Sequence, residues 1–178
     1  MTTRRWMPLI AVAFVGAIAN QACAEYVTAK NGLNIRSKPN ADAEIVGVLP
    51  FAEEVDGERE GSWLKIDDGY VKAAYLSDSD PIEDFEPLGT YSVTAYYETG
   101  FPTASGTYPA VGTTLAHNSL PFGAEVYIDG LGFWTVEDRG PASMGTQWCD
   151  IYLGDYDTCV QFGNQYADVW IVRKEMVK

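Results

Sequence analysis

The sequence predicts a mainly β protein made of two small barrels, the second of them six-stranded with one short helix. Short apolar runs alternate with turn residues along most of the chain, and no long stretch keeps a helical period. Asn-Gly and Asp-Gly dipeptides, which favour tight turns, separate several of these runs. Closing short strands into barrels removes exposed strand edges, so we expect barrels and not open sheets.

The first 24 residues have the pattern of a secretory signal peptide. Two early arginines precede an apolar stretch, Met7–Ala19, and Ala22-Cys23-Ala24 forms a small-residue cleavage site. The apolar stretch is too short to cross a bilayer. We therefore expect a secreted protein with no membrane segment after cleavage. Lipid attachment at Cys23 is the alternative, but the residues before it match a lipobox poorly.

Charge narrows the range of partners. The chain has 25 acidic and 12 basic residues, a formal net charge of −13. Nucleic acids and anionic membranes bind clustered lysine and arginine, so this balance argues against both. The negative charge is compatible with a neutral or cationic target, or with no role beyond solubility. We expect the protein to be a monomer.

Residues 25–77 form the first predicted domain. Asn31-Gly32 and Asp68-Gly69 are tight-turn dipeptides, and prolines mark further loops. Six segments are expected to form short strands or turns: YVTAK, LNIRS, IVGVLP, AEEVDGE, WLKID and GYVKAAYL. Strands so closely spaced fit a small barrel.

This segment resembles a bacterial SH3-type domain. The likeness lies in the N-I-R-S-x-P opening, the pair Gly47 and Leu49, and the W-x-K-I…G-Y-V close. The resemblance implies binding to cell-wall peptides, and therefore targeting and not catalysis. Trp63 and Tyr70 are either core residues or ligand contacts.

Residues 78–89 are expected to form a linker. The run DSDPIEDFEP has five acids, two prolines and no basic residue, a composition that does not build a core. Ile82 and Phe85 are the residues able to dock on a neighbouring domain.

Residues 90–178 form the second predicted domain. Six segments read as strands: YSVTAYY, TTLAHNS, AEVYIDG, GFWTVEDRG, WCDIYLG and ADVWIVRK. One helix, Asp155–Phe162, is expected to start at its aspartate cap and to end at Gly163.

Asp150 is the first candidate for acid/base chemistry. Alternation places Trp148, Asp150 and Tyr152 on one strand face and the apolar residues between them towards the barrel interior. Two aromatic rings beside a carboxyl group suit a sugar ring, and they would raise the pKa of the acid. The alternative is that both aromatics merely cover the barrel.

Asp138 and His117 are the other candidates. Asp138 ends a predicted strand before Arg139-Gly140-Pro141, where an aspartate commonly caps a turn. If Arg139 or His117 lies within reach, Asp138 is held ionised and stabilises charge. His117, the only histidine, is expected at a strand end near a barrel mouth. One histidine disfavours a zinc site, and no G-x-S-x-G elbow supports a serine triad, so neither metal nor cofactor is expected.

Two cysteines remain after the leader, Cys149 and Cys159. An even number in an exported protein allows a disulfide between them. A buried free pair is the alternative.

The second domain resembles the double-psi β-barrels of cell-wall enzymes. VTAYY…PTASG, DRGP and CDIYLG…FG…DVWIV are similar to the three-aspartate domain, whose second and third aspartates match Asp138 and Asp150. Ala116-His117 stands where the first aspartate is expected. AHNSLPFG with DRGP instead resembles rare lipoprotein A, where a histidine after alanine and the DRGP aspartate are tied to activity.

The resemblance implies a lytic transglycosylase that acts on peptidoglycan glycan strands and their stem peptides, in the periplasm or at the cell wall of a bacterium. Asp150 is then the expected acid, with Asp138 next and His117 as a substrate-orienting or charge-tuning neighbour. Thr103, Ser105 and Gly106 would line the groove, and Arg139, Trp148 and Tyr152 would contact substrate. A non-catalytic, expansin-like glycan-binding module is the chief alternative, and a hydrolase of the same polymer is a third.

Overall fold

The computed structural model describes residues 24–97 and 100–173. The predicted leader therefore lies outside the described residues, apart from Ala24. The strands are β1 (Glu25–Val27), β2 (Leu33–Arg36), β3 (Ile45–Leu49), β4 (Glu54–Val55), β5 (Glu58–Glu60), β6 (Trp63–Ile66), β7 (Gly69–Lys72), β8 (Leu76–Ser77), β9 (Glu86–Tyr97), β10 (Thr114–Ala116), β11 (Glu125–Ile128), β12 (Gly132–Asp138), β13 (Trp148–Gly154) and β14 (Gln165–Ile171). Helix α1 is Tyr156–Phe162, and short 3-10 helices cover Ala73–Tyr75, Pro81–Asp84 and Ala142–Met144. None of the helices in these ranges is long and apolar enough to cross a membrane.

Strands β1 to β8 build the small N-terminal domain. They form a three-stranded sheet, β4-β1-β8, and a five-stranded sheet, β3-β2-β7-β6-β5. The segment AEEVDGE, expected as one unit, divides into β4 and β5. A compact apolar core lies between the sheets, formed by Val27, Leu33, Ile35, Val55, Leu64 and Val71. Trp63 is buried, with the Lys72 ammonium 4.9 Å from its ring centre, so it belongs to the domain interior.

The C-terminal domain is a closed six-stranded barrel with the strand order β10-β12-β11-β14-β9-β13. All six predicted strands are confirmed, and so is the helix. Asp155 caps α1 by accepting a hydrogen bond from the Thr158 amide at 2.9 Å, and Gly163 ends it with a φ of +67°. Strand β9 begins at Glu86, so the last four residues of the expected linker belong to the barrel.

Alternation on the barrel strands separates an apolar interior from a polar outer face. The interior contains ten buried residues: Tyr91, Val93, Leu115, Val126, Ile128, Trp134, Val136, Cys149, Ile151 and Val169. Strands β9 and β13 run parallel, with Thr94 opposite Asp150. The residues of these two strands that point out of the barrel therefore lie side by side on one face, and this face carries the candidate site.

The two domains meet at an aromatic cluster. Phe51, in the turn after β3, packs edge-on against Phe133 at 4.8 Å and against Tyr127 at 5.3 Å between ring centres. Phe85, from the acidic segment, stacks on Phe51 at 5.9 Å and also contacts both barrel rings. The Lys30 ammonium lies 2.8 Å from a carboxylate oxygen of Glu125 across the same junction. Phe85 thus packs against both domains. A cleft of about 740 Å³ lies between the domains next to this aromatic cluster.

Candidate functional site

Asp138 and Asp150 lie in one row across the barrel wall. Ala116 of β10 is paired with Asp138 of β12 on one side and with Asp150 of β13 on the other. Asp150 is paired in turn with Thr94 of β9. Directly paired residues present their side chains on the same face of a sheet, and two strand spacings correspond to about 10 Å between backbones. The row therefore holds two carboxylates on one face, with a methyl group between them.

A β-bulge brings Asp138 into this row. Leu115 is paired with Val136, but the next residue, Ala116, is paired with Asp138, so Glu137 is an extra residue on β12. Simple alternation would send Asp138 inwards together with Val136. The bulge instead turns the carboxyl group towards the outer face, an arrangement common next to functional sites.

Asp150 is held in a covered position. Thr94 Oγ1 donates to Asp150 Oδ1 at 2.8 Å, and Trp148 Nε1 donates to Thr94 Oγ1 at 2.9 Å. Burial raises the pKa of Asp150; the Thr94 hydrogen bond opposes this, and the negative charge of Asp138 adds to it. The predicted flanking residues Trp148 and Tyr152 are both buried, at 4% and 7% exposure. Their cover supplies the desolvation that was expected for this acid.

Trp148 is closed off by the DRGP segment. A side chain on Gly140 would overlap the six-membered part of the Trp148 indole, so only glycine fits there. The expectation that Trp148 offers its ring to a sugar is corrected by this cover. Its contribution is to shield Asp150 and to fix Thr94 through the indole N–H.

Asp138 accepts three hydrogen bonds. The backbone amides of Ala104 and Arg139 each donate to Oδ1 at 2.8 Å, and the Tyr96 hydroxyl donates to Oδ2 at 3.2 Å. Burial and the neighbouring Asp138 charge raise the pKa of Tyr96, so its hydroxyl remains a donor. Three donors directed at the two oxygens suit a carboxylate anion.

The predicted TASG turn lies against the site. Thr103 Oγ1 is 2.9 Å from Ser105 Oγ and also donates to the Thr107 carbonyl at 2.9 Å. The Ser105 amide donates to the Glu137 carbonyl at 3.0 Å, which ties the turn to the bulged strand. Thr103 is buried and Gly106 turns the chain at a φ of +91°. Contact with a carboxylate comes from the backbone of Ala104, and not from the hydroxyl groups that sequence singled out.

His117 lies in the interior, with 1% of its surface exposed. Its Nδ1 accepts hydrogen bonds from the amides of Ser119 at 3.1 Å and Leu120 at 3.0 Å. This assigns the ring proton to Nε2, which is buried near the backbone of Thr146. Burial, and then the charge of Arg139, lower the pKa of His117; the backbone of Thr146 only partly offsets this. Of the two roles expected for His117, substrate-orienting or charge-tuning, a neutral and buried imidazole favours the second.

Arg139 links the DRGP and AHNS motifs. Its Nη1 donates to the carbonyl of His117 at 2.7 Å and to that of Asp138 at 3.1 Å, and its guanidinium lies 3.8 Å from the centre of the Phe122 ring. The Gly140 amide donates to Asn118 Oδ1 at 3.0 Å. The two motifs are therefore held together by hydrogen bonds next to Asp138.

Both cysteines are free and buried. Cys149 points into the barrel core, where burial raises the pKa of its thiol to about 12. Cys159 lies on the buried face of α1. Of the two alternatives left open by the sequence, the structure has the buried free pair. Residues 24–97 and 100–173 contain no group of three or more His, Cys, Asp or Glu side chains placed to hold a metal ion.

Thr94, Tyr96 and Ala104 were not predicted as site residues. Thr94 and Tyr96 do alternate with the apolar Val93 and Ala95, so their outward orientation is readable from sequence. Their partners on β12 and β13 are not, because the parallel pairing and the bulge depend on the closed barrel.

Comparison with known proteins identifies one part of the chain. The family model of the bacterial SH3 domain matches residues 31–77. No curated protein matches the chain at a significant level. The N-terminal domain, β1 to β8, thus contains a bacterial SH3 domain, which suggests a cell-wall-binding module.

Proposed function

We propose that this chain is a secreted lytic transglycosylase that cleaves peptidoglycan glycan strands, with the SH3 domain as its wall-binding module. The observation that carries the proposal is the row of Asp138 and Asp150, two carboxyl groups in different surroundings on one face of the barrel. Neighbouring acids with divergent surroundings are the usual arrangement for splitting the roles of proton donor and charge stabiliser.

Asp150 is the proposed proton donor. Its raised pKa favours a protonated acid that can give its proton to the glycosidic oxygen as the bond to the muramic acid anomeric carbon breaks. The muramic acid 6-hydroxyl then closes on that carbon, and its proton passes to the Asp150 carboxylate. The acid is regenerated, no water is consumed, and the product carries a 1,6-anhydro end.

Asp138 is the proposed charge stabiliser. Three donors fix its oxygens, and it lies about two strand spacings from Asp150 in the same row. In this role its negative charge offsets the positive charge that develops on the sugar ring.

The SH3 domain supports a cell-wall location. The junction of Phe51, Phe85, Tyr127 and Phe133 holds this domain against the barrel. A wall-binding module fixed in this way would keep the barrel close to its polymer and raise the effective substrate concentration. The expected leader at residues 1–24 agrees with export to that compartment.

A non-catalytic glycan-binding protein is the second candidate. It is favoured by Ala116-His117, which stand where the three-aspartate pattern has its first acid. If that missing carboxyl group is required, the barrel binds glycan without cleaving it.

Digestion of purified peptidoglycan with identification of the products by mass separates these candidates. Release of fragments with 1,6-anhydro ends supports a transglycosylase. Reducing ends would identify a hydrolase, and binding to the wall without release would identify the glycan-binding protein.

A further inference from the structure

A small aromatic depression lies beside the carboxylate row. Phe101 and Tyr108 are each 73% exposed. Together with Gly100, Pro109 and the buried Tyr152 they line a depression of about 60 Å³. Exposed aromatics grouped around a cavity are typical of a binding surface, since scattered single residues would not share one pocket.

Two contacts fix the depression relative to the carboxylates. Tyr152 packs edge-on against Tyr96 at 5.2 Å between ring centres, and the Tyr96 hydroxyl donates to Asp138. The loop that carries Phe101 and Tyr108 is also tied to Asp138 through the Ala104 amide. The depression is therefore held in a fixed position next to the row of acids.

The size of the depression limits what it can hold. One water-sized group needs about 10–15 Å³ of such space, so 60 Å³ accommodates roughly four to six heavy atoms. A pyranose with its hydroxyl groups is too large. An acetamido substituent has four heavy atoms and ends in a methyl group, which suits a lining of aromatic rings and proline.

We propose that this depression receives the acetamido group of an N-acetylhexosamine, while Phe101 and Tyr108 pack against the faces of the sugar rings. The inference rests on the proposed function and deepens it, since it makes the C2 substituent the feature by which the barrel selects its glycan. Both aromatic residues are then specificity-determining residues next to the acids.

Calorimetric titration of the purified protein with two neutral β-1,4-linked oligosaccharides tests this proposal. Chitotetraose carries an acetamido group on every ring, and cellotetraose carries a hydroxyl group there. We expect chitotetraose to bind at least about tenfold more tightly, the usual effect of one filled apolar pocket. The preference should disappear in F101A and Y108A. It should persist in Y166A, a matched control that removes an equally exposed tyrosine from β14.

Equal affinity for the two oligosaccharides, no binding of either, or a preference retained in both F101A and Y108A would overturn the proposal. The readout is independent of bond cleavage. A protein that prefers chitotetraose but releases no wall fragments would refute the transglycosylase and leave the acetamido site intact. Release of anhydro products without a preference for chitotetraose would refute the acetamido site and leave the transglycosylase intact.

Discussion

Asp138 and Asp150 lie at the same level on the two strands that flank β10, each in register with Ala116. Their surroundings differ. Asp150 is covered by Trp148 and receives one hydrogen bond, from Thr94, whereas Asp138 receives three.

Replacing Asp150 by asparagine is expected to stabilise the fold at neutral pH. Burial raises the pKa of Asp150, so the charged carboxylate destabilises the folded protein at neutral pH. The asparagine amide removes this charge and keeps an oxygen that accepts the hydrogen bond from Thr94. We expect the melting temperature at pH 7 to rise by about 2–4 °C, the shift that corresponds to a modest gain in a protein of this size.

The pH dependence of that gain has a definite sign. A raised folded pKa contributes stability that is complete below the ordinary aspartate value of about 3.9 and is lost as pH rises through the folded pKa. The melting temperatures of wild type and D150N should therefore converge near pH 3.5 and separate above it. D129N, at an exposed tight turn, is the control and should show no such divergence. A constant difference at all pH values would contradict the assignment.

His117 is expected to titrate below its ordinary value of about 6.5. Protonation would place a charge in a buried site next to Arg139 and would remove the acceptor used by the Ser119 and Leu120 amides. Since the folded pKa is lowered, stability is complete above pH 6.5 and falls as pH decreases through that window. The protein has one histidine, so a single imidazole signal in an NMR titration reports the value directly. A midpoint at or above 6.5 would contradict a neutral, buried ring.

Gly140→Ala is expected to destabilise the barrel by about 1–3 kcal/mol, the usual cost of overpacking. The new methyl group would displace the Trp148 indole and thereby the hydrogen bond to Thr94. Thermal unfolding and tryptophan fluorescence measure both effects. Adding Trp148→Phe removes the overlapping ring, so the double variant should be more stable than the sum of the single changes predicts. Simple additivity of the two changes would show that the overlap is not the cause.

Phe51→Ala is expected to uncouple the two domains. Phe51 is 8% exposed and contacts three aromatic rings at the junction. Loss of a buried phenylalanine commonly costs about 3–5 kcal/mol. We expect one calorimetric unfolding transition in the wild type and two in F51A. Y75A, which removes an exposed tyrosine from the same domain, should keep one transition. A single, uniformly lowered transition in F51A would argue against a junction centred on this ring.

Local sequence pattern predicts most of the fold but only part of the candidate site. Alternation along β13 placed Asp150 outwards between two aromatics, and the capping residues Asp155 and Gly163 bounded the helix. Two features needed the closed barrel. The bulge that redirects Asp138 and the parallel partner that brings Thr94 to Asp150 are long-range choices of register, which period-two patterns do not encode.

His117 is a second residue whose surroundings the local sequence pattern does not determine. A polar run at a strand end suggested a barrel mouth, yet the ring turns inwards because its Nδ1 satisfies two loop amides and its other face packs near Tyr91. His117 lies two residues after the interior Leu115, which agrees with an inward orientation. Local pattern still does not distinguish a neutral, buried histidine from an exposed one.

Asp150 is the proposed acid of a transglycosylase, and digestion of purified peptidoglycan by wild type, D150N and D138N tests this role. We expect the wild type to release fragments with 1,6-anhydro ends, and D150N to be slower by about 100-fold to 10,000-fold, the usual contribution of a general acid. D138N should be impaired while giving the same anhydro products. Undiminished release of anhydro products by D150N would contradict the claim.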